Sequence, residues 1–264
     1  MSNEPFVVTG RDARGVITLT LNRPAAFNAL SEGMLSALQT ELDAIDTDAN
    51  ARVVVLAAAG KAFCAGHDLK EMRAEPSRAY YEQLFAQCSR VMLRVQTLSV
   101  PVIARVQGIA TAAGCQLVAM CDLAVAADTA KFAVSGVNFG LFCSTPSVAL
   151  ARNVPRKQAM EMLLTGDFID ANEARVHGLV NRVVAPDALD AEIETLVARI
   201  VAKPRVAIAI GKAQFYRQVE VGVAQAYAIA GDAMACNMME PSALEGVQAF
   251  IEKRPPQWAP PATG

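Results

Sequence analysis

Three short and almost unbroken apolar runs constrain this chain most: R-V-V-V-L-A-A-A (52–59), P-V-I-A-R-V (101–106) and D-L-A-V-A-A (122–127). None alternates polar with apolar residues, so neither face of these segments is built for water. Runs of this length read as strands buried on both faces, which requires helices to cover the sheet. Helical patterns stand between them. Leu35, Leu38, Leu42 and Ile45 recur at three- and four-residue spacing, and Leu84, Cys88, Val91 and Val95 do the same in a longer helix expected to begin at Pro76. G-V-I-T-L-T-L (15–21) alternates and reads as a strand, and L-V-N-R-V-V (179–184) as a last short one.

The punctuation is equally legible. Thr145-Pro146 and Val154-Pro155 put proline at the first turn of a helix, with Thr145 as an N-cap. D-A-N-E (170–173) is a capping box, and Gly178 is the expected stop of its short helix. From Asp187 onward only helices follow, interrupted at Pro204, Pro241 and Pro255, with S-A-L-E (242–245) capping the last one to about Lys253. The expectation is a single α/β core over residues 1–200. A helical region over residues 201–264 would be no independent domain, and would pack on the core or on a neighbouring subunit.

Composition closes off several functions. Hydrophobic residues make up 53% of the 264, enough for a large core. A net charge of −2 without a basic block argues against nucleic acid as a partner. No apolar run approaches the roughly 20 residues of a membrane span. The opening M-S-N-E-P-F shows neither a signal-peptide core nor an Arg-rich transit pattern. The six cysteines (64, 88, 115, 121, 143, 236) form no C-x-x-C pair and read as reduced thiols, so a cytoplasmic location is expected. With His67 and His177 the only two histidines, a histidine-rich metal site is excluded and no metal is expected.

Two stretches share one design: V-L-A-A-A-G-K-A-F-C-A-G-H-D-L (55–69) and V-I-A-R-V-Q-G-I-A-T-A-A-G-C-Q-L (102–117). In each, a buried strand ends, small residues follow, and a helix starts. N–H groups at a helix start have no partner within the helix and favour negative charge. Two of them aimed at one carbonyl oxygen would form an oxyanion hole. Glycine turns and close helix–sheet packing would leave the same pattern.

These stretches, with N-R-P-A-A-F-N-A-L (22–30), C-D-L-A-V-A-A-D-T-A-K-F-A (121–133), M-L-L-T-G (162–166), A-N-E-A-R-V-H-G-L-V (171–180) and A-F-I-E-K-R (249–254), resemble the crotonase family, that is, enoyl-CoA hydratase/isomerase. The resemblance covers essentially the whole chain. G-H-D-L, A-T-A-A-G-C-Q-L and G-L-F-C-S-T-P are most similar to the enoyl-CoA hydratase domain-containing 3 subgroup. The resemblance implies an α/β fold, a crotonase-like (ClpP/crotonase) spiral of β-β-α turns. It also implies a C-terminal helical trimerisation region and a homotrimer or dimer of trimers. The ligand would be an acyl-CoA, with coenzyme A entering as part of the substrate thioester and no covalently bound cofactor.

By the same resemblance, the thioester oxygen would sit between the backbone N–H groups of His67 and Ala113. Ala65, His67, Asp68 and Leu69 would line the adenine and pantetheine channel, with Ala26 and Phe27 on the other wall. Phe250 and Lys253 would reach the nucleotide end of CoA, although a lysine at a helix C-terminus is also favoured by the helix dipole. A basic residue is usual just after N-R-P, and here it is Ala25.

The chemistry departs further. The two family glutamates that act as acid and base would occupy positions 116 and 136, which hold Gln116 and Gly136. A primary amide does not exchange protons near neutral pH, and glycine offers nothing. Because general acid–base catalysis typically contributes about 10²–10⁴-fold, little hydration is expected. Cys143, Ser144 and Thr145 lie on a segment that supplies side chains in some members, but a nucleophile there needs a nearby base. His67 belongs to the proposed hole, and His177 is expected at a helix end, bonded locally. Asp68 and Glu71 are carboxylates near the entrance, Asp68 also being a helix-start anion. Asn138 offers a polar contact but no base, and Cys115 reads as core. The sequence leaves open weak hydration, thioester hydrolysis, malonyl-type decarboxylation, slow isomerisation, non-catalytic acyl-CoA binding or regulation, and a scaffold subunit that no longer binds CoA.

Overall fold

In a computed structural model, which describes residues 4–258, the apolar runs form the middle of a sheet. In chain order the elements are β1 (Val7–Arg11), β2 (Val16–Leu21), α1 (Glu32–Asp46), β3 (Val53–Ala58), β4 (Ala62–Cys64), α2 (Leu69–Ala74) and α3 (Arg78–Thr97). Next come β5 (Val102–Val106), β6 (Ile109–Thr111), α4 (Ala113–Met120), β7 (Leu123–Ala127), β8 (Lys131–Ala133), α5 (Ser144–Asn153) and α6 (Arg156–Thr165). The chain closes with β9 (Ile169–Asp170), α7 (Ala171–Val176), β10 (Arg182–Val184), α8 (Leu189–Val201), α9 (Arg205–Gln218), α10 (Val223–Met238) and α11 (Pro241–Ile251).

The larger sheet has the order β1-β2-β3-β5-β7-β10, parallel except for the β1–β2 pair. The smaller has the order β4-β6-β8-β9, parallel except for β8–β9. Consecutive strands alternate between the sheets: β3 leads to β4, β5 to β6 and β7 to β8, each pair followed by helix. These are the β-β-α turns of the expected spiral. All six residues of β3 are buried because both faces are covered. On one side Ile17, Leu19, Leu21, Val54 and Leu56 meet the apolar stripe of α1 and the buried face of α3. On the other, Val16, Val53, Val55, Ile103 and Val125 meet Leu189, Ile193, Leu196 and Val197 of α8. Burial of each large side chain contributes about 1.5–3 kcal/mol.

Several helix starts differ from expectation for a local reason. α3 begins after Ser77, whose side chain accepts the Tyr80 N–H, so the serine and not Pro76 sets the boundary. α5 is capped at Cys143 without a side-chain bond, which puts Thr145 inside its first turn. Pro241 itself opens α11, and among the described residues Ser242 Oγ has no partner and caps no helix N–H, so S-A-L-E does not set this boundary. The Asp170–Glu173 capping box is formed in both directions, and Gly178 follows α7 with φ +83°.

The C-terminal helices dock unevenly. α9 and α10 contain no buried residue, yet α9 is tied to the core by polar contacts. Lys212 Nζ reaches Asp122 at 2.7 Å and the carbonyls of Val95 and Val100, while Tyr216 donates to the same carboxylate at 2.9 Å. Arg205 donates to the Ala51 carbonyl at 3.0 Å. No helix among the described residues is long and apolar enough to cross a membrane.

Candidate functional site

The two Gly/Ala stretches meet because β4 and β6 pair in parallel, which brings their C-terminal ends together. A Cβ on Gly114 would stand 2.1 Å from the Cys64 carbonyl oxygen, so the first turn of α4 lies directly on the end of β4. Gly66, at φ +90°, has the same relation to the other loop: a Cβ there would be 2.9 Å from the Ala112 methyl and 3.2 Å from the Ala113 nitrogen. Gly66 precedes His67, so the backbones of His67 and Ala113 run side by side. Among the described residues, neither the His67 nor the Ala113 N–H has a hydrogen-bond acceptor. Ala112 makes the turn into α4 at φ 50° and ψ −121°, a conformation that strains an alanine by about 1–3 kcal/mol. Its own N–H is fixed on the Ala133 carbonyl at 3.0 Å.

These backbones open onto a cavity of about 190 Å³. Of the residues singled out from the sequence, Ala65, His67, Leu69, Ala113, Gly136 and Ser144 line it, as do Cys143 and Thr145. Most of the remaining wall is apolar: Met72, Phe85, Phe139, Leu141, Phe142 and Pro146. Among the described residues no Asp, Glu, Lys or Arg lines it, and His67 and Cys143 are the titratable side chains that do. Burial pushes His67 down to about 4, which keeps its imidazole neutral at pH 7. Among the described residues its Nε2 has no partner, and the ring stands edge-on to Phe85 at 5.4 Å. Burial pushes the Cys143 thiol up, and its Sγ accepts the Gly136 N–H at 3.3 Å. Ser144 Oγ bonds the Phe142 carbonyl at 3.4 Å. Neither Cys143 nor Ser144 is hydrogen-bonded to an imidazole, the arrangement an activated nucleophile needs.

A family model described as enoyl-CoA hydratase/isomerase matches residues 11–261 of the chain. The chain belongs to the enoyl-CoA hydratase/isomerase family. The crystal structure of an enoyl-CoA hydratase from Mycobacterium smegmatis is 69% identical and superposes with a TM-score of 0.96, over 97% of this chain and 99% of that one. The crystal structure of human enoyl-CoA hydratase domain-containing protein 3 is 44% identical with a TM-score of 0.92, covering 96% of this chain and 100% of that one. The curated human protein of that name, a mitochondrial one, is 45% identical over 97% of this chain and 85% of its own length. A crotonyl-CoA hydratase of Syntrophomonas wolfei is 32% identical over 89% of this chain and 91% of its own. The crotonase fold and the likeness to the domain-containing 3 subgroup both follow.

Not every residue singled out from the sequence reaches the cavity of this family member. Gln116 is buried in α4 at 5% exposure with its Oε1 unpartnered, and it does not line the wall. Gly136 lines it within a short 3₁₀ turn, Ser135–Phe139, but has no room for a side chain: a Cβ would lie 2.4 Å from the Leu141 carbonyl oxygen. Asp68 caps α2 through the N–H groups of Lys70 and Glu71 and pairs with Arg23 at 2.7 Å. Burial opposes its ionisation, but Arg23 and those amides outweigh it and hold the carboxyl below its usual range. Glu71 accepts the Glu32 N–H at 3.0 Å, and Asn138 donates to the Gly166 carbonyl, so both serve the framework. Cys115 is fully buried core. His177 ends α7 as expected, but among the described residues its buried Nδ1 has no partner, so its side chain is not bonded locally. Ala26 and Phe27 lie beside Ala65, whose N–H donates to the Phe27 carbonyl at 3.0 Å. Phe250, 85% exposed, lines a separate groove with Pro204 and Trp258, and Lys253 follows it at φ 56°; neither lines the cavity.

Two residues that hold the site escaped sequence reading. Asn28, fully buried, donates to the carbonyls of Ala59 and Ala62 and accepts the Arg23 N–H. Gln107 donates to the carbonyls of Ala58, Gly60 and Ala62. Both amides clamp the turn between β3 and β4. N-R-P-A-A-F-N and R-V-Q-G carry them, but no spacing reveals that they converge on one turn.

Proposed function

We propose that this protein binds an acyl-CoA thioester and polarises its carbonyl between the backbone N–H groups of His67 and Ala113. The observation that carries this reading is the pair of unpartnered amides on adjacent backbones at the edge of an apolar cavity. A single donor of this kind typically contributes about 3–4 kcal/mol to a developing oxyanion. Ala65, His67, Asp68 and Leu69 on one side and Ala26 and Phe27 on the other frame the CoA channel, with Phe250 and Lys253 assigned to the nucleotide end. Coenzyme A enters as part of the substrate, in acyl-CoA metabolism.

Ordinary hydration is weak in this reading. Gln116 and Gly136 stand where the family's acid–base glutamates are expected, and the cavity wall carries no carboxylate. The neutral His67 and the raised Cys143 thiol supply no acid–base pair in their place. What remains is other acyl-CoA chemistry that leans on the two amides, namely thioester hydrolysis, decarboxylation or isomerisation, or acyl-CoA binding without turnover.

Residues 201–264 are assigned to self-association, as a homotrimer or dimer of trimers. Tyr227, Met234 and Met239 are each more than 70% exposed on and beside α10, a poor outer surface for a lone chain. A reducing compartment, the cytoplasm, suits five buried free cysteines, although the curated human relative is named mitochondrial.

The test pairs two assays on one purified sample: calorimetric binding of butyryl-CoA, and hydration of a short trans-2-enoyl-CoA. Binding with hydration far below ~10 s⁻¹, an ordinary enzyme rate, is expected. Turnover near that rate would overturn the assignment of Gln116 and Gly136. Absence of binding would overturn the reading as a whole.

A further inference from the structure

Two residues before Ala113, Thr111 ends β6, and its Oγ1 lies 2.9 Å from Ser135 Oγ. The smaller sheet brings the two hydroxyls together. β6 pairs with β8 through Thr111 and Ala133, the Ala112 N–H is fixed on the Ala133 carbonyl, and Ser135 follows two residues later. Ser135 lines the cavity and Thr111 does not, so the threonine stands behind the serine. Two hydroxyls carry two protons, and the bond between them uses one. Among the described residues neither oxygen has a further partner, so a donor proton and acceptor lone pairs are left over. Ser144 differs: its Oγ is turned back on the Phe142 carbonyl at 3.4 Å. In the open cavity water satisfies Ser135. An acyl group that displaces this water leaves the hydroxyl unmatched, unless the group carries an oxygen of its own to replace the lost bond.

Resting on the acyl-CoA reading above, we infer that Ser135 contacts the ligand and favours acyl groups that carry a hydroxyl near the thioester, with Thr111 as its positioning residue. Thr111 is two residues from the Ala113 donor, which sets that hydroxyl on the second or third carbon of the acyl chain. Thr111 acts only through Ser135: its hydroxyl fixes the rotation of the serine and thereby where the remaining proton and lone pairs point.

The experiment is calorimetric binding of butyryl-, 2-hydroxybutyryl- and 3-hydroxybutyryl-CoA to the full-length protein. One of the two hydroxy thioesters is expected to bind about fivefold more tightly than butyryl-CoA, the effect of one neutral hydrogen bond. In Ser135→Ala this preference should vanish while butyryl-CoA binds no more weakly. In Thr111→Val the preference should shrink, and Thr111→Ser should restore it. Added to Ser135→Ala, Thr111→Val should change nothing further. Circular dichroism and butyryl-CoA binding confirm that each variant is folded. The ratio between hydroxylated and plain thioester is the decisive readout, because a bond that merely tied β6 to the 3₁₀ turn would weaken all three ligands alike. Butyryl-CoA binding with no preference for either hydroxy thioester would leave the acyl-CoA reading standing and overturn this inference. So would a preference that survives in folded Ser135→Ala. A preference unchanged in Thr111→Val would overturn the role given to the threonine. If no thioester binds at all, the acyl-CoA reading itself fails, and the inference with it.

Discussion

At Gly136 the backbone leaves no space for a side chain. The Leu141 carbonyl oxygen lies 2.4 Å, and Cys143 Sγ 2.8 Å, from where a Cβ would be. Introducing a glutamate by Gly136→Glu, alone or with Gln116→Glu, is therefore expected to cost about 3 kcal/mol in urea unfolding and not to yield hydration. Wild-type stability in that variant, or brisk turnover, would show that the 3₁₀ turn yields easily. His67 makes a second prediction at this scale. Its folded-state pKa of about 4 lies below the 6.5 of the unfolded chain, so on acidification the unfolded chain takes up the proton first. The stability this buried, neutral imidazole confers is complete above about pH 6.5 and is lost as pH falls towards 4, by about 3 kcal/mol in all. Urea unfolding of wild type and His67→Phe at pH 7 and pH 4 checks it. The variant should lose less stability than wild type over that interval, and equal losses would refute the burial argument.

Elements were legible where their own pattern is long enough to repeat. α1 and α3 showed their apolar stripes, and β3, β5 and β7 showed their unbroken runs. The three-residue strands β4, β6 and β8 are too short to display a period and exist because each pairs with its neighbours in the smaller sheet. β1 was missed for a related reason: V-V-T-G-R holds only one buried residue and is a strand by virtue of its bonds to β2. The anchoring of α9 was equally invisible, since Lys212 and Asp122 stand 90 positions apart. Lys212→Met leaves the Asp122 carboxylate in a site where Lys212 is only 6% exposed. The expected loss is about 3 kcal/mol, with faster amide exchange across α9 than across α8. Unchanged stability would mean that Tyr216, the Val102 N–H and solvent satisfy Asp122 without the lysine.

For the whole molecule the open surface of α10 and α11 is the main consequence of the fold. Tyr227 and Met234 are 77% and 71% exposed there. Light scattering is expected to report a trimer or hexamer, and Tyr227→Asp with Met234→Asp to reduce it to smaller species; a monomeric wild type would overturn the assignment of residues 201–264. The chain by itself determined the covered parallel sheet, because unbroken apolar runs cannot face water, and it marked the two small-residue stretches where backbone must approach backbone. It also carried the crotonase resemblance through those motifs. Tertiary structure alone decided that the stretches touch through Gly66 and Gly114, and that His67 is neutral because it is buried. It alone decided that the cavity wall holds no carboxylate and that position 136 cannot accept one. Each of these depends on what lies across a gap of a few ångströms from residues distant in sequence, and linear spacing carries no record of that gap.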